Sequence, residues 1–372
     1  MIFLFLFSTS TLTGQAAQTF NILRYLVKCG HQVLAIADQN RVGNLNSCLE
    51  KAGAILLNDI SISHKNKLIN KCREVLRLRS VVMDIKPDFV ITSFSNDHFV
   101  SYLALRDVNS KPRVVRFYHS KKVRSDWIHK SIYKNTDIFV FYDCDIYAEF
   151  SKKYSCMKDK FFLLPAGVDT DVFIPVFRST LRDKFGLNKD SFVVGYVGMF
   201  QKGRMHRELI DLFFALKKRV DNSQLLMVGS GETFYDIYRY AYKRLGKTDV
   251  VFTGFVDENT LVDAYNVMDI FILLKGGQDS SLRMLYEAQS CGTYILTYKS
   301  YPASELINVS EYGDFIVDVT DIEKTADIIF SSIKNIKNEM RYLIHQRVKS
   351  RFDYRMSAEL FLKICENLYY RS

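Results

Sequence analysis

Two acidic residues stand eight positions apart in the segment Asp279-Ser-Ser-Leu-Arg-Met-Leu-Tyr-Glu287. The residues after Asp279 have helical spacing, and eight residues make a little over two turns, so both carboxylates fall on nearly one face. An apolar run, Ile270–Leu274, and the pair Gly276-Gly277 precede them. Glycine there lets the backbone approach a ligand closely. A helix that starts at the end of a buried parallel strand offers free N–H groups to a phosphate. In that setting both carboxylates would accept hydrogen bonds from ligand hydroxyls, Glu287 through both its oxygens. The plain reading of the same spacing is an acidic residue stabilising its helix start and a surface Glu two turns on.

The surrounding sequence must supply the strands and helices that place these groups. Phe3–Phe7 reads as a strand, Thr11–Gln15 as a turn, and Ala16–Val27 as a helix ended by Cys29-Gly30. Gln32–Ala37 is a second strand, so the chain opens on a βαβ unit. Apolar runs at Ala54–Leu57, Phe89–Thr92, Val114–Phe117 and Ile138–Phe141 continue a parallel sheet, and Phe161 begins another strand before a Pro/Gly turn. A second α/β series follows. Its strands are Val193–Val197, Leu225–Val228, Val250–Thr253, Ile270–Leu274 and Tyr294–Leu296, with a helix at Glu208–Val220 and a closing helix at Ser357–Tyr370. The reading gives domains at 1–172 and 173–350, and a terminal helix at 351–372 that packs back on the first domain.

Composition bounds the class. The chain has 372 residues with 48% hydrophobic residues, enough for two α/β cores. Seven cysteines are scattered without any Cys-x-x-Cys pair, which reads as neither a disulfide framework nor a zinc site. Residues 1–170 hold 24 Lys and Arg against 15 Asp and Glu, so nearly all of the net charge of +10 lies in the first half. Such a half attracts anions, or is a basic face kept for solubility. The segment Lys65–Val82 interleaves six cations with apolar residues; it reads either as a sheet-covering helix or as one that lies on an anionic bilayer. No run reaches the length of a membrane span, and Met1–Phe7 lacks the basic start of a signal peptide. The expectation is a cytoplasmic protein, peripheral on the inner face of a membrane. Two short matches count for little: Asp143-Cys-Asp145 as a metal-binding pair, and Gly229-Ser-Gly231 as part of a dinucleotide loop.

Several stretches resemble the retaining family-four glycosyltransferases of GT-B fold. Leu164-Pro-Ala-Gly-Val-Asp-Thr-Asp-Val-Phe173 is similar to the family's interdomain Pro-Asn-Gly-Val-Asp segment. Leu225-Leu-Met-Val-Gly-Ser-Gly-Glu232 and Val251-Phe-Thr-Gly-Phe255 match its next two strands. The acidic segment, continued by Ala-Gln-Ser-Cys-Gly292, matches the family's two acidic residues and Ala-x-x-x-Gly. The resemblance implies two Rossmann-like domains facing a central cleft. It also implies a nucleoside-diphosphate sugar as donor, a glycan or lipid-linked acceptor on the first domain, and transfer with retention. No metal, cofactor or nucleic acid is expected.

Onto this sequence the resemblance carries Asp279, His119 and Arg204 as catalytic groups. It carries Gly14, Gln15, Lys202, Arg204, Phe255, Asp279, Ser280, Ser281, Arg283 and Glu287 as donor contacts. The family's Gly-Arg-x-x-x-x-Lys clamp is altered here to Gly198-Met-Phe-Gln-Lys-Gly-Arg204, so Met199 replaces the Arg and Arg204 the Lys. Arg204 is the first choice to neutralise the leaving diphosphate, with Lys202 and Arg283 as alternatives. A basic surface loop is the plain reading. His119 is otherwise a hydrogen-bonded histidine after a strand; Ser93, Ser95 and Asn96 are further acceptor-side candidates. The implied pathway is synthesis of a surface glycan such as lipopolysaccharide. A nucleotide-sugar epimerase and a degenerate sugar-binding subunit are the alternatives, Met199 favouring the latter.

Overall fold

The structure is a computed structural model, which describes residues 1–63, 68–106, 108, 110–120, 122–176, 181–276, 282–298, 306, 315–316 and 321–370. Its contacts divide into two units. The first contains Met1–Gly167 and the C-terminal segment from Tyr354; the second contains the described residues between Val168 and Asp353. The division falls at Gly167/Val168, where the sequence pattern placed it at 172/173.

The first unit is built on β1 (Ile2–Leu6), β2 (Gln32–Ile36), β3 (Ile55–Leu56), β4 (Phe89–Thr92), β5 (Arg113–Phe117), β6 (Ile138–Phe141) and β7 (Phe161–Leu163). They form one parallel sheet in the order β3-β2-β1-β4-β5-β6-β7. β1 and β6 are apolar along their whole length and β4 nearly so, because helices cover both faces; β5 is the exception, with Arg113 and Arg116. The order reverses between β1 and β4, and ligands of doubly wound sheets bind beyond the strand ends at such a point. The expected Thr11–Gln15 turn is shorter than the pattern implied. The Thr13 side chain caps the helix Gly14–Lys28 by accepting from the Ala16 N–H, so Gly14 and Gln15 are its first residues.

The helix Leu68–Ile85 settles what its basic segment does. Leu78 and Val82 are in the core, with Val75 packed against it. Arg77 Nη1 donates to the Asp59 carbonyl at 2.7 Å, and Arg79 to the carbonyls of Ala104 and Leu103 at 3.0 and 3.2 Å. Lys71 Nζ donates to Ser63 O, to Glu74 at 3.2 Å and to Asn96 Oδ1 at 2.5 Å. These cations tie the helix to the loop after β3 and to the helix Ser95–Leu105, while Leu78 and Val82 pack on the strands, so it is a sheet-covering helix; Lys65 and Lys67 lie outside the described residues. The helix Tyr354–Tyr369 packs in this unit against Gly14–Lys28, with the Arg24 guanidinium 4.4 Å from the Tyr354 ring. A Cβ at Gly167 would come within 2.6 Å of Tyr354 Cα, so only glycine admits that approach.

The second unit holds β8 (Phe192–Val197), β9 (Ser223–Val228), β10 (Val250–Gly254), β11 (Ile270–Leu273), β12 (Tyr294–Thr297) and β13 (Phe315–Ile316). The parallel order is β10-β9-β8-β11-β12-β13, with its reversal between β8 and β11. The loops that leave these two strands carry Gly198–Arg204 and the start of the acidic-segment helix.

Candidate active site

After β8 the chain runs Gly198 to Arg204 and enters the helix His206–Lys217 through Met205. The loop is pinned to the end of β9: Gly198 N–H donates to Val228 O and Phe200 N–H to Ser230 O, both at 3.0 Å. A Cβ on Gly229 would lie 2.0 Å from Gly198 O, and one on Gly231 would lie 2.3 Å from Phe200 O. The Gly229-Ser-Gly231 turn therefore exists to let two backbones pass, with both glycines at positive φ.

Met205 (φ 60°) and Leu282 (φ 45°) are both in the left-handed region, and each opens a helix at the switch of the second sheet. Backbone strain of this kind collects at ligand sites, where surrounding contacts hold it. Behind the loop His206 Nε2 meets Tyr196 Oη at 2.9 Å, and Phe200 stacks on the imidazole at 4.7 Å. Burial, with the Arg204 charge beside it, lowers the His206 pKa from 6.5 to about 4. His206 is thus a neutral support for the loop at pH 7. Because its folded value is depressed, the folded chain binds fewer protons than the unfolded one across that interval. Its contribution to stability is present above pH 6.5 and is lost as pH falls toward 4. The stability gap between wild type and His206→Asn should shrink by about 2 kcal/mol from pH 7 to pH 4, allowing for partial solvation. Denaturant titrations at the two pH values measure it, and a constant gap would show that His206 titrates normally.

Arg204 lies at the mouth of this structure. Its Nε and Nη1 are buried and have no hydrogen-bond partner among the described residues. Buried guanidinium nitrogens without a partner are costly, and an oxyanion is the group that satisfies them. Lys202 is exposed; its backbone N–H donates to Glu232 at 3.4 Å. Met199, in place of the expected cation, is 50% exposed, and Phe255 beyond β10 is 73% exposed.

The acidic segment divides. Asp279, Ser280 and Ser281 lie outside the described residues. The helix Arg283–Ser290 brings Arg283 and Glu287 together, Nε to Oε1 at 3.0 Å. Glu287 is buried, 2% exposed, and its Oε2 accepts from Tyr265 Oη at 2.8 Å. Glu287 is therefore no surface residue, and Arg283 carries its own counter-charge. Gly292 (φ 71°) closes the motif for a packing reason, since a Cβ there would lie 2.5 Å from Arg341.

In the first unit His119 is buried and lies nearly parallel to Tyr142 at 6.0 Å. Ser93 Oγ donates to Thr19 Oγ1 at 2.7 Å, and Asn96 holds Lys71. Two groups here escaped the sequence reading. Arg116, buried in β5, has Nη2 3.5 Å from Ser95 Oγ. Asp97, in the first turn of the helix Ser95–Leu105, accepts from the Ser93 and Phe94 N–H groups. Burial raises the Asp97 pKa to about 6, against the pull of Arg116 and the backbone donors. The signal was available: Arg116 is a charge set between apolar residues of a buried strand. Asp143 caps the helix Cys144–Lys153 through the N–H groups of Asp145 and Ile146, so the Asp-x-Asp triplet is a helix start. No cluster of His, Cys, Asp or Glu suited to a metal occurs among the described residues.

Two parallel, doubly wound sheets, each with one reversal of strand order, define an α/β protein of GT-B type. Residues 12–172 match the profile of Glycosyltransferase Family 4, and residues 177–347 match that of Glycosyl transferases group 1. The chain belongs to the family-four glycosyltransferases of GT-B fold. It is 27% identical over 194 residues to the capsular polysaccharide biosynthesis glycosyltransferase CapM of Staphylococcus aureus, covering 52% of this chain and 50% of that one. It is 28% identical over 175 residues to a GDP-mannose-dependent phosphatidylinositol monomannoside mannosyltransferase of Mycobacterium tuberculosis, 45% of each chain. The chain thus spans about half the length of the curated relatives it matches. The fold is that of a glycosyltransferase from Rickettsia africae (TM-score 0.81, 16% identity, covering 100% and 99% of the two chains). It is also that of Anabaena Alr3699/HepE in complex with UDP-glucose (TM-score 0.79, 16% identity, 99% and 100%). WaaG, a glycosyltransferase involved in lipopolysaccharide biosynthesis, aligns with a TM-score of 0.69 at 14% identity, over 98% and 99%.

Proposed function

We propose that the protein transfers a sugar from a nucleoside-diphosphate sugar, held on the second unit, to a glycan or lipid-linked acceptor on the first, with retention of configuration. The observation that carries this is Arg204, whose buried Nε and Nη1 have no partner among the described residues, at the switch of the second sheet. A departing diphosphate gains charge as the glycosidic bond breaks, and a fixed guanidinium stabilises that charge more than the ground state. Asp279 orients the transferred sugar. His119 stands at the acceptor-side strand ends. The leaving phosphate assists attack from the same face. The relatives in capsule and lipid mannoside synthesis favour a surface-glycan role at the inner face of a membrane.

A thermal-shift screen of UDP-, GDP- and ADP-sugars tests the donor. A donor at about 100 times its Kd should add about 2.7 kcal/mol of stability. Nuclear magnetic resonance of the product's anomeric proton then tests retention. Absence of stabilisation by any nucleoside-diphosphate sugar would overturn the proposal; stabilisation without transfer or hydrolysis would favour a sugar-binding subunit.

A further inference from the structure

The chain has one tryptophan, and it is 79% exposed. Trp127 opens the helix Trp127–Lys134, which Asp126 caps by accepting from the His129 N–H at 3.1 Å. The inner face of this helix is fixed: Ile132 and Tyr133 are buried, Tyr133 meets Phe139 and Tyr154 edge-on, and Ser131 Oγ shares a 2.7 Å hydrogen bond with Tyr102. The outer face carries Trp127, Lys130 and Lys134, at helical positions i, i+3 and i+7, so they form one stripe. Ile128 beside it is also exposed. The preceding loop adds exposed Lys122 and Arg124 and is anchored from below by Lys153 Nζ to Val123 O at 2.7 Å and Tyr154 Oη to Arg124 O at 2.6 Å. The nearby carboxylate, Asp126, is taken by His129 Nδ1 at 2.7 Å.

We infer that this stripe is the surface by which the first unit lies on an anionic lipid bilayer, with Trp127 in the interface and Lys122, Arg124, Lys130 and Lys134 against the headgroups. One indole and one isoleucine are far too little apolar area for a stable protein interface, which takes roughly 800 Å² per partner. A tryptophan ringed by cations on a rigid helix is matched to the boundary between headgroups and acyl chains. The basic surface continues past Lys134 into a cavity of about 480 Å³ whose wall also carries Arg106, Lys111 and Arg113, against Asp137 as its carboxylate among the described residues. The inference extends the reading of the first unit as the acceptor side. It moves the lipid contact from the helix Leu68–Ile85, where Lys71, Arg77 and Arg79 are engaged with the protein, to one whose Lys130 and Lys134 are exposed.

Because Trp127 is the sole tryptophan, its fluorescence reports this contact directly. Vesicles of phosphatidylglycerol and phosphatidylcholine at low salt should shift its emission to the blue, and pure phosphatidylcholine should not. High salt should reverse the shift. The pair Lys130→Glu and Lys134→Glu should lower co-sedimentation with the anionic vesicles by at least about 25-fold, each cation being worth about fivefold. Arg73→Glu, on the rival helix, should change it far less. An unshifted spectrum with anionic vesicles, or a charge-reversed variant that binds like wild type, would overturn the inference. So would self-association, by sedimentation velocity, that Trp127→Ala abolishes, since that assigns the patch to a second copy. No sugar donor enters these measurements, so their failure leaves the donor proposal standing, and failure of the donor screen leaves the lipid surface standing.

Discussion

Arg204→Ala is expected to cut turnover by about two to three orders of magnitude, the usual cost of losing a group aimed at transition-state charge. The Michaelis constant for the donor should rise less than turnover falls, because the diphosphate carries more charge as it leaves than while bound. Folding should be nearly unaffected or improved: the wild-type side chain keeps two buried nitrogens without a partner among the described residues, and alanine removes that penalty. Lys202→Ala should have a smaller effect, since Lys202 is exposed and interacts through mobile solvent-screened charge. Steady-state kinetics and thermal denaturation of both variants decide the matter. A larger loss for Lys202→Ala would move the clamp to that residue. Two silent variants would leave Arg283, which would first have to release Glu287.

Glu287→Ala is expected to behave differently, because the structure gives Glu287 a second task. Removing its carboxylate leaves the buried Tyr265 hydroxyl without this acceptor and takes a counter-charge from Arg283, whose side chain is 28% exposed. Losing a buried acceptor in this way costs about 1–3 kcal/mol. For a unit of this size that corresponds to a fall in Tm of roughly 2–12 °C. Donor affinity is expected to fall as well, through loss of the proposed ribose contact. Glu287→Gln keeps an acceptor for Tyr265 and should recover part of the stability. Calorimetry and donor titration on the two variants separate the roles: an unchanged Tm in Glu287→Ala would reduce Glu287 to a ligand contact alone. Asp279→Ala is the complementary case, expected to lower turnover with little change in Tm.

Much of the fold was legible before any coordinates. Strands buried on both faces are apolar without alternation, so β1, β4, β6 and β11 stand out with bounds correct to within a residue. Helix starts were less legible, since they depend on where a side chain turns back on the backbone. Thr13 caps two residues earlier than the apolar pattern begins, which moved Gly14 and Gln15 from turn to helix. The glycine turns were visible as glycines, but their reasons were not. Gly229 and Gly231 answer to the Gly198–Phe200 loop, and Gly292 to Arg341, contacts that cross about 30 to 50 residues of sequence.

The sequence by itself determined the two-sheet α/β plan, the excess of cations in the first half, and the set of residue types from which a site could be drawn. These depend on composition and short-range periodicity, which the chain carries in its order alone. Which charges are already spent was decided only by tertiary structure. Arg283 and Arg204 look equivalent as cations in the sequence, yet one is paired with Glu287 and the other has nitrogens without partners among the described residues. Lys71, Arg77 and Arg79 look like a lipid-facing series, yet they bind the protein's own oxygens, while Lys130 and Lys134 share an exposed stripe with Trp127. A charge is available to a ligand only where folding has left it without a partner. That balance is set by groups brought together from distant parts of the chain, whose distances no local pattern records.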